Sequence, residues 1–570
     1  MGSRAKQILS FTAIVLGFFM ALLDTTIINV ALPEMTHYFG GDVSQLSWVM
    51  NGYNLAFAVF ILTASRLADQ FGRRRVFLIG IGLFTVASLL AGLSTSLEML
   101  IVCRVLQGLA GAIIVPVTIP LTTTTFPKEL HGMIIGIWGV VSGLAAASGP
   151  ALGGMITEKL NWQWIFFVNV PLGIASIVLT LIFIKESRDD TAGHNIDWGG
   201  ILGISGGMFC LTYALIKVEQ YGWGSQVIWM LLSAAVISLL FFFLTQWKGK
   251  EPMLPLSLLK IGTFNGASLT MLVVGAALMN IALLTSFFLT RMMGMSELKA
   301  GLVLSMLAVG SIVSSGLAGP LSNKYGSRWF AAAGIVLMAG ATYSLGGLHA
   351  DSSVGDVLLR LIAAGFGVGL TMAPVMSSAI RNVPADKVGV SSGVINMMKA
   401  LGSVLGVAII VTVLQQNMDN RLESAHTEAI AVVQQDQAML PFVRESLSGT
   451  LDNWAGNGTS STRITTGGEQ EAGSAEGLYL AAVENIEVAA ASLTAEQQAA
   501  FGAARAEQYA EVQLVLPGVG QLLREAPEQA FSRTFAMAGY MLIPGILFAL
   551  LSDRRRMPAK RLQEAVQVNH

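Results

Sequence analysis

The chain is written as long apolar runs separated by short polar loops. A helix that crosses a membrane needs about 20 consecutive apolar residues. Fourteen such runs can be placed, at roughly 10–32, 46–66, 76–94, 99–121, 132–156, 164–185, 198–217, 226–247, 264–290, 298–320, 329–348, 353–375, 388–414 and 531–552. The pattern predicts an all-α polytopic membrane protein with 14 transmembrane helices. One long interruption separates the last two runs. Residues 415–530 are too polar to span; Ala/Glu/Gln-rich stretches such as 481–510 favour helix, and Gly456–Gly468 reads as a flexible link. Two or three helices outside the bilayer are expected there.

Composition narrows the class. Charged residues make up 12 % of the 570-residue chain, hydrophobic residues 53 %, and mean hydropathy is +0.64. A soluble domain carries roughly 25 % charged residues, so a soluble fold and intrinsic disorder are both excluded. The net charge of −1 is unevenly spread: residues 415–530 hold 16 Asp/Glu against 5 Arg and no Lys, which leaves 29 basic and 19 acidic residues elsewhere. A basic membrane part and an acidic segment suggest opposite sides of a bilayer. No global basic field exists for nucleic acid. Cys103 and Cys210 sit in apolar runs, so no disulfide framework is expected; no metal-ligand spacing is present. The first run is too long for a cleaved signal peptide and contains an acid.

Lys and Arg in short loops set orientation. Arg73–Arg75, Lys128, Lys185, Arg188, Lys248, Lys250, Lys260, Lys324, Arg328, Arg381, Lys387 and the tail Arg554–Arg556, Lys560 and Arg561 all fall on one side if both termini are cytoplasmic. A repeat is also visible. Leu67-x-Asp69-x-x-Gly72-x-Arg74 returns as Leu321-x-Asn323-x-x-Gly326-x-Arg328, 254 residues later. The expected organisation is a six-helix bundle (1–190), two inserted helices (191–260), five helices of a second bundle (261–414), the extracytoplasmic segment (415–530), and a last helix with a basic tail (531–570). Parallel repeats of this kind build secondary transporters with a midplane site.

Ionisable residues inside apolar runs are costly and point to function. Asp24 is the one deep acid; Arg104 and Lys399 are deep bases. At 1.5 Å per residue, Asp24 lies about 12 Å and Arg104 about 8 Å from the same face, so they meet if their helices are neighbours. Burial favours the neutral acid and an approaching guanidinium the carboxylate, which would make the pair a proton switch. A static structural ion pair is the alternative. Asp69 with Gly72, Arg73 and Arg74 suggests a latch in which the acid meets a helix end, although the arginines also enforce topology. Gly149-Pro150 and Gly153-Gly154 imply a close helix interface or a hinge. Asn29, Gln107, Trp138, Asn396 and Lys399 are candidates for lining a substrate cavity, with helix packing the plainer alternative. No phosphate-binding loop is present, so ATP hydrolysis by this chain is not expected, nor is enzymatic activity or a cofactor.

These residues together carry a family resemblance. Ser65–Arg74 resembles motif A of the major facilitator superfamily, with Ser65 in place of the usual first Gly. Arg104-Val105-Leu106-Gln107-Gly108 is similar to motif B, and Gly149–Gly154 to motif C, the antiporter motif, where Ala145 stands at an often-glycine position. Leu23–Pro33 and Trp162–Pro171 resemble the 14-span drug:proton antiporter branch, the EmrB/QacA type. The resemblance implies a major facilitator fold in a bacterial inner membrane and proton-driven efflux of hydrophobic compounds. It also implies coupling through Arg104, switching through Asp69 and its arginines, and an exporter's kink at Gly149-Pro150. A dedicated exporter of one amphipathic metabolite or lipid, or a non-transporting sensor, stands as the alternative. The long acidic segment is expected to shield the exit or to dock a periplasmic adaptor protein.

Overall fold

The computed structural model describes residues 3–39, 43–127, 130–188, 196–249, 252–384, 387–456, 475–491 and 493–553, and no strand occurs among them. The first six crossings are α1 (Ser3–Phe39), α2 (Val43–Phe71), α3 (Arg73–Gly92), α4 (Leu97–Thr125), α5 (His131–Lys159), and α6 (Trp164–Phe167) continued by α7 (Asn169–Phe183). The step between α6 and α7 follows from Pro171, which has no N–H to donate to the turn before it. Then come α8 (Trp198–Tyr221) and α9 (Gln226–Lys248). The second set is α10 (Gly262–Phe287), α11 (Glu297–Tyr325), α12 (Ser327–Leu345), α13 (Val354–Arg381) and α14 (Val388–Gln435). It is followed by α15 (Pro441–Gly456), α16 (Ala475–Ala491), α17 (Ala495–Leu542) and α18 (Pro544–Leu551).

Thirteen helical stretches among the described residues are long and apolar enough to cross a membrane. The run at 329–348 forms α12, which is not among those thirteen.

The packing repeats. In the first set α2 and α3 lie on α4, α1 lies on α5, and α1 and α3 lie on α7. In the second, α11 and α12 lie on α13, α10 lies on α14, and α10 and α12 lie on α18. Two bundles of like topology meet through α2 against α14 and, as the counterpart, α11 against α5. Close approach in each bundle depends on glycines at corresponding places. A Cβ on Gly108 of α4 would lie 2.3 Å from the Tyr53 carbonyl oxygen, and one on Gly365 of α13 would lie 1.8 Å from that of Leu307.

Both bundles turn alike at the repeated loop. Gly72 and Gly326 have φ of 108° and 88°, which strains any residue with a Cβ. Each turn exposes the first N–H groups of the next helix to a carboxylate from the end of its bundle. Glu186 accepts from the Arg74 and Arg75 N–H groups at 3.0 and 3.2 Å, and Asp553 accepts from the Ser327 N–H at 2.8 Å. A negative charge at a helix N-terminus is favourable.

The pair α8–α9 leans on both bundles. Ser205 of α8 donates to the Val59 carbonyl of α2 at 3.4 Å, Tyr213 lies against Trp48 of α2 with ring centroids 5.9 Å apart, and the Trp223 indole after α8 donates to Thr412 Oγ1 of α14 at 3.2 Å.

The 415–530 region differs from a detached insert. Residues 414 and 415 lie inside α14, and residues 530 and 531 inside α17, each an unbroken helix of 48 residues. At 1.5 Å per residue each is about 72 Å long, more than twice the hydrocarbon thickness of about 30 Å. Neither therefore fits wholly within a bilayer, and α15 and α16 pack on their polar parts around Val433, Val443, Leu447, Ile486, Val512 and Leu516. The link at 456–468 lies almost wholly outside the described residues, as do Lys128, Lys250 and the basic tail from Arg554 onward.

Candidate functional site

Asp24 lies on α1 and Arg104 on α4, and the fold brings them together as expected from their depths. Both are buried, at 0 % and 1 % exposure, and the Arg104 Nη1 group donates to Asp24 Oδ2. An isolated buried charge costs several kcal/mol, so every polar atom around the pair must be accounted for. Arg104 Nε donates to the Val49 carbonyl of α2 at 2.9 Å, and Nη1 also donates to Gln107 Oε1 at 3.0 Å. The guanidinium lies over the Tyr53 ring at 4.6 Å, and Tyr53 in turn donates to the Ala21 carbonyl at 3.2 Å. Position 107 follows 104 by three residues, so both side chains leave one face of α4. Gln107 Nε2 donates to Asp24 Oδ1 at 3.2 Å and to Ser88 Oγ of α3 at 2.8 Å.

Two members of this cluster were not singled out by sequence. Asn169, the first residue of α7, donates to Asp24 Oδ1 at 3.0 Å and to Ser88 Oγ at 3.5 Å. Both Asn169 and Ser88 are 0 % exposed. Asn169 lies within the Trp162–Pro171 motif, and its place two residues before Pro171 was the one available signal. Neutral polar residues are common in spans, and nothing else marked Ser88.

The glycines of Gly149–Gly154 serve the same helix. A Cβ on Gly149 would lie 2.0 Å from Thr26 Oγ1 and one on Gly153 2.6 Å from the Ile27 carbonyl, so α5 packs tightly on α1 just past Asp24. Gly154 is buried. The helix α5 runs unbroken through Pro150, whose side chain lies outside the described residues, as does that of Asn29.

A second polar group joins the two bundles. Asp69 and Arg73 are buried and paired at 2.8 Å. They meet the first turn of α14, where a Cβ on Gly389 would lie 2.1 Å from Asp69 Oδ2. Ser65 Oγ donates to the Gly389 carbonyl at 2.6 Å, and Gly393 faces Ser65 where a Cβ would lie 2.8 Å from that of Ser65. The glycine missing at position 65 is thus supplied from the facing helix. Arg74 reaches the other way and donates to the Leu181 carbonyl at 2.8 Å. Leu67 lies at the end of α2 beside these residues.

The candidate cavity residues do not converge. Gln107 is sealed inside the Asp24 cluster at 0 % exposure, because both ends of its amide are engaged there. Trp138 is buried between Phe11 and Phe18 of α1. Asn396 and Lys399 are half-buried on α14, with the Asn396 amide donating to its own helix at Ser392. No group of His, Cys, Asp and Glu suited to a metal occurs among the described residues.

A sequence model of the Major Facilitator Superfamily matches residues 14–407. The chain is 33 % identical over 409 residues to the tetracenomycin C resistance and export protein of Streptomyces glaucescens, covering 72 % of this chain and 76 % of that one. It is 35 % identical over 420 residues to the multidrug resistance protein Stp of Mycobacterium tuberculosis, covering 73 % and 78 %. Among solved structures, a bacterial homologue of the human lysosomal transporter Spinster aligns with a TM-score of 0.54 at 15 % identity, covering 98 % of this chain and all of that one. The human organic anion transporter MFSD10 aligns at 0.53 and 13 % identity, covering 71 % and 93 %.

Proposed function

The chain belongs to the Major Facilitator Superfamily and is a transporter rather than an enzyme, and from this premise we propose that it exports hydrophobic or amphipathic compounds from the cytoplasm or inner leaflet in exchange for protons. The names of its relatives, which include multidrug and antibiotic resistance proteins, support the cargo class. The observation that carries proton coupling is the sealed Asp24–Arg104 pair. A carboxylate held only by buried partners changes its balance of interactions sharply when it gains a proton. A proton reaching Asp24 from outside weakens the hold on Arg104, and the difference in proton affinity between two conformations biases the exchange.

In the proposed arrangement α12 is the eleventh span and brings the thirteen apolar stretches to fourteen, and the face with the Gly72 and Gly326 turns is cytoplasmic in a bacterial inner membrane, with both termini on it. Residues 415–530 then project outside. Asp69, Arg73 and Ser65 latch α2 to α14 on the cytoplasmic side, and Asn396 and Lys399 of α14 are the remaining cavity candidates. No adaptor protein is part of this reading.

The test is uptake by proteoliposomes under an imposed pH gradient, over a panel of lipophilic dyes and drugs. Gradient-driven transport is expected in the natural protein and lost in Asp24→Asn, with downhill exchange retained; full gradient-driven transport by that variant would overturn the coupling. The Streptomyces relative is named for a single compound, which favours a dedicated exporter as the second reading. Activity confined to one compound of the panel would select it.

A further inference from the structure

We propose that Asn169, backed by Ser88, is the positioning residue that keeps Asp24 hydrogen-bonded in both of its protonation states. The inference rests on the proton-coupling reading and adds a component to it. Two observations carry it. The Asn169 amide nitrogen donates to Asp24 Oδ1 at 3.0 Å, as suits an ionised carboxylate that can only accept. The other end of the same amide, Asn169 Oδ1, is buried and has no hydrogen-bond partner. A buried acceptor left without a donor costs about 1–3 kcal/mol, and such a group in a tightly satisfied cluster needs a reason.

Protonation of Asp24 supplies that reason. The carboxyl oxygen facing Asn169 then carries an O–H, a donor where there was an acceptor. Its remaining in-plane lone pair accepts from Gln107 Nε2, 3.2 Å away, which leaves the Asn169 nitrogen facing the new O–H. Half a turn of the amide about Cβ–Cγ presents Oδ1 instead, so that the orphaned acceptor gains the new donor and the amide nitrogen takes the place Oδ1 had. Ser88 completes the exchange. Its Oγ accepts from Gln107 and faces the Asn169 amide, and after the turn its own hydroxyl proton can point to Asn169 Oδ1. One O–H bond forms on Asp24, from a proton delivered by the coupled gradient, and no other covalent bond changes. Gln107 cannot perform the same reversal, because its Oε1 is held by Arg104 and its Nε2 by Ser88 as well as by Asp24 Oδ1. The other charged or titratable groups facing the site are Arg104 on α4, which has no acceptor, and Tyr53 on α2, whose hydroxyl is turned to the Ala21 carbonyl and makes no hydrogen bond to Asp24 among the described residues.

The experiment is an infrared pH titration of the full-length protein in liposomes, grown with carbonyl-labelled asparagine. The Asp24 carboxyl band is assigned by its loss in Asp24→Asn. An asparagine amide band is expected to shift with the same midpoint as the carboxyl band, to vanish in Asp24→Asn, and to weaken in Ser88→Ala. In Asn169→Leu, gradient-driven turnover should fall about tenfold with substrate affinity unchanged, the scale of one hydrogen bond to a charged group. A carboxyl band that titrates with no accompanying amide shift overturns the role of Asn169 and leaves Asp24 coupling standing. A protein in which no band assigned to Asp24 titrates overturns both. The labelled natural protein carries the decisive measurement even if Asn169→Leu does not fold.

Discussion

At the scale of single residues, the Asp24–Arg104 pair is a matter of compensation rather than attraction. Each charge would be costly alone, and each is made tolerable by the other and by the amides around it. Removing one partner is therefore worse than removing both. Arg104→Ala leaves a buried carboxylate and should destabilise by about 3–5 kcal/mol, whereas Asp24→Asn with Arg104→Ala should recover a large part of that loss. Thermal unfolding in detergent, monitored by tryptophan fluorescence, would check the order; a double variant less stable than Arg104→Ala would contradict it. This pair was legible in the sequence because a charge in an apolar run has no other explanation as economical. Asn169 and Ser88 were not, because uncharged polar side chains enter spans at little cost and only the three-dimensional cluster shows which of them meet Asp24.

At the scale of helices, glycines decide how closely elements approach, and the partner often lies far away in sequence. Gly389 has no room for a side chain because Asp69 occupies its Cβ position from another bundle. Gly389→Ala should therefore prise α14 from α2 at about 1–3 kcal/mol, the usual cost of overpacking. The expected outcome is a larger population open on that face, read as faster labelling of a cysteine placed at Gln70; unchanged labelling would show that the contact yields without moving the helices. Gly365→Ala meets the Leu307 backbone, which cannot swing aside. It should lower the yield of folded protein more than Gly389→Ala, as size-exclusion chromatography would show. The runs predicted where helices lie. They could not show that Gly393 replaces the glycine missing at Ser65, since that exchange is visible only across the interface. Nor did they reveal that α14 and α17 each run unbroken from an apolar part into a polar one, because hydropathy changes at the end of an apolar run while helix propensity does not.

At the scale of the molecule, the two bundles share a topology but divide the chemistry. Their glycine contacts, helix pairings and capped third helices correspond, yet four residues before the paired glycines stand Arg104 in one bundle and Leu361 in the other. The hydrogen bonds of the buried charge cluster accordingly join α1, α2, α3, α4 and α7, all of the first bundle. The projecting helices belong to the opposite bundle: α17 packs along α10, α12 and α14, and Asn417 of α14 donates to Thr534 of α17 at 3.0 Å near the root of the projection. A rigid extension built on one bundle moves with that bundle and leaves the charge cluster of the other unaltered. Replacing residues 419–529 with a short Gly/Ser turn removes the projection above this root while keeping the Asn417–Thr534 contact. The shortened protein should retain pH-gradient-driven dye transport to within about twofold in proteoliposomes, since neither the Asp24 cluster nor the α2–α14 contact involves the deleted residues. A collapse of gradient coupling with intact folding would instead place the extension within the switching mechanism itself, and would require a contact between it and the first bundle that forms only in another conformation.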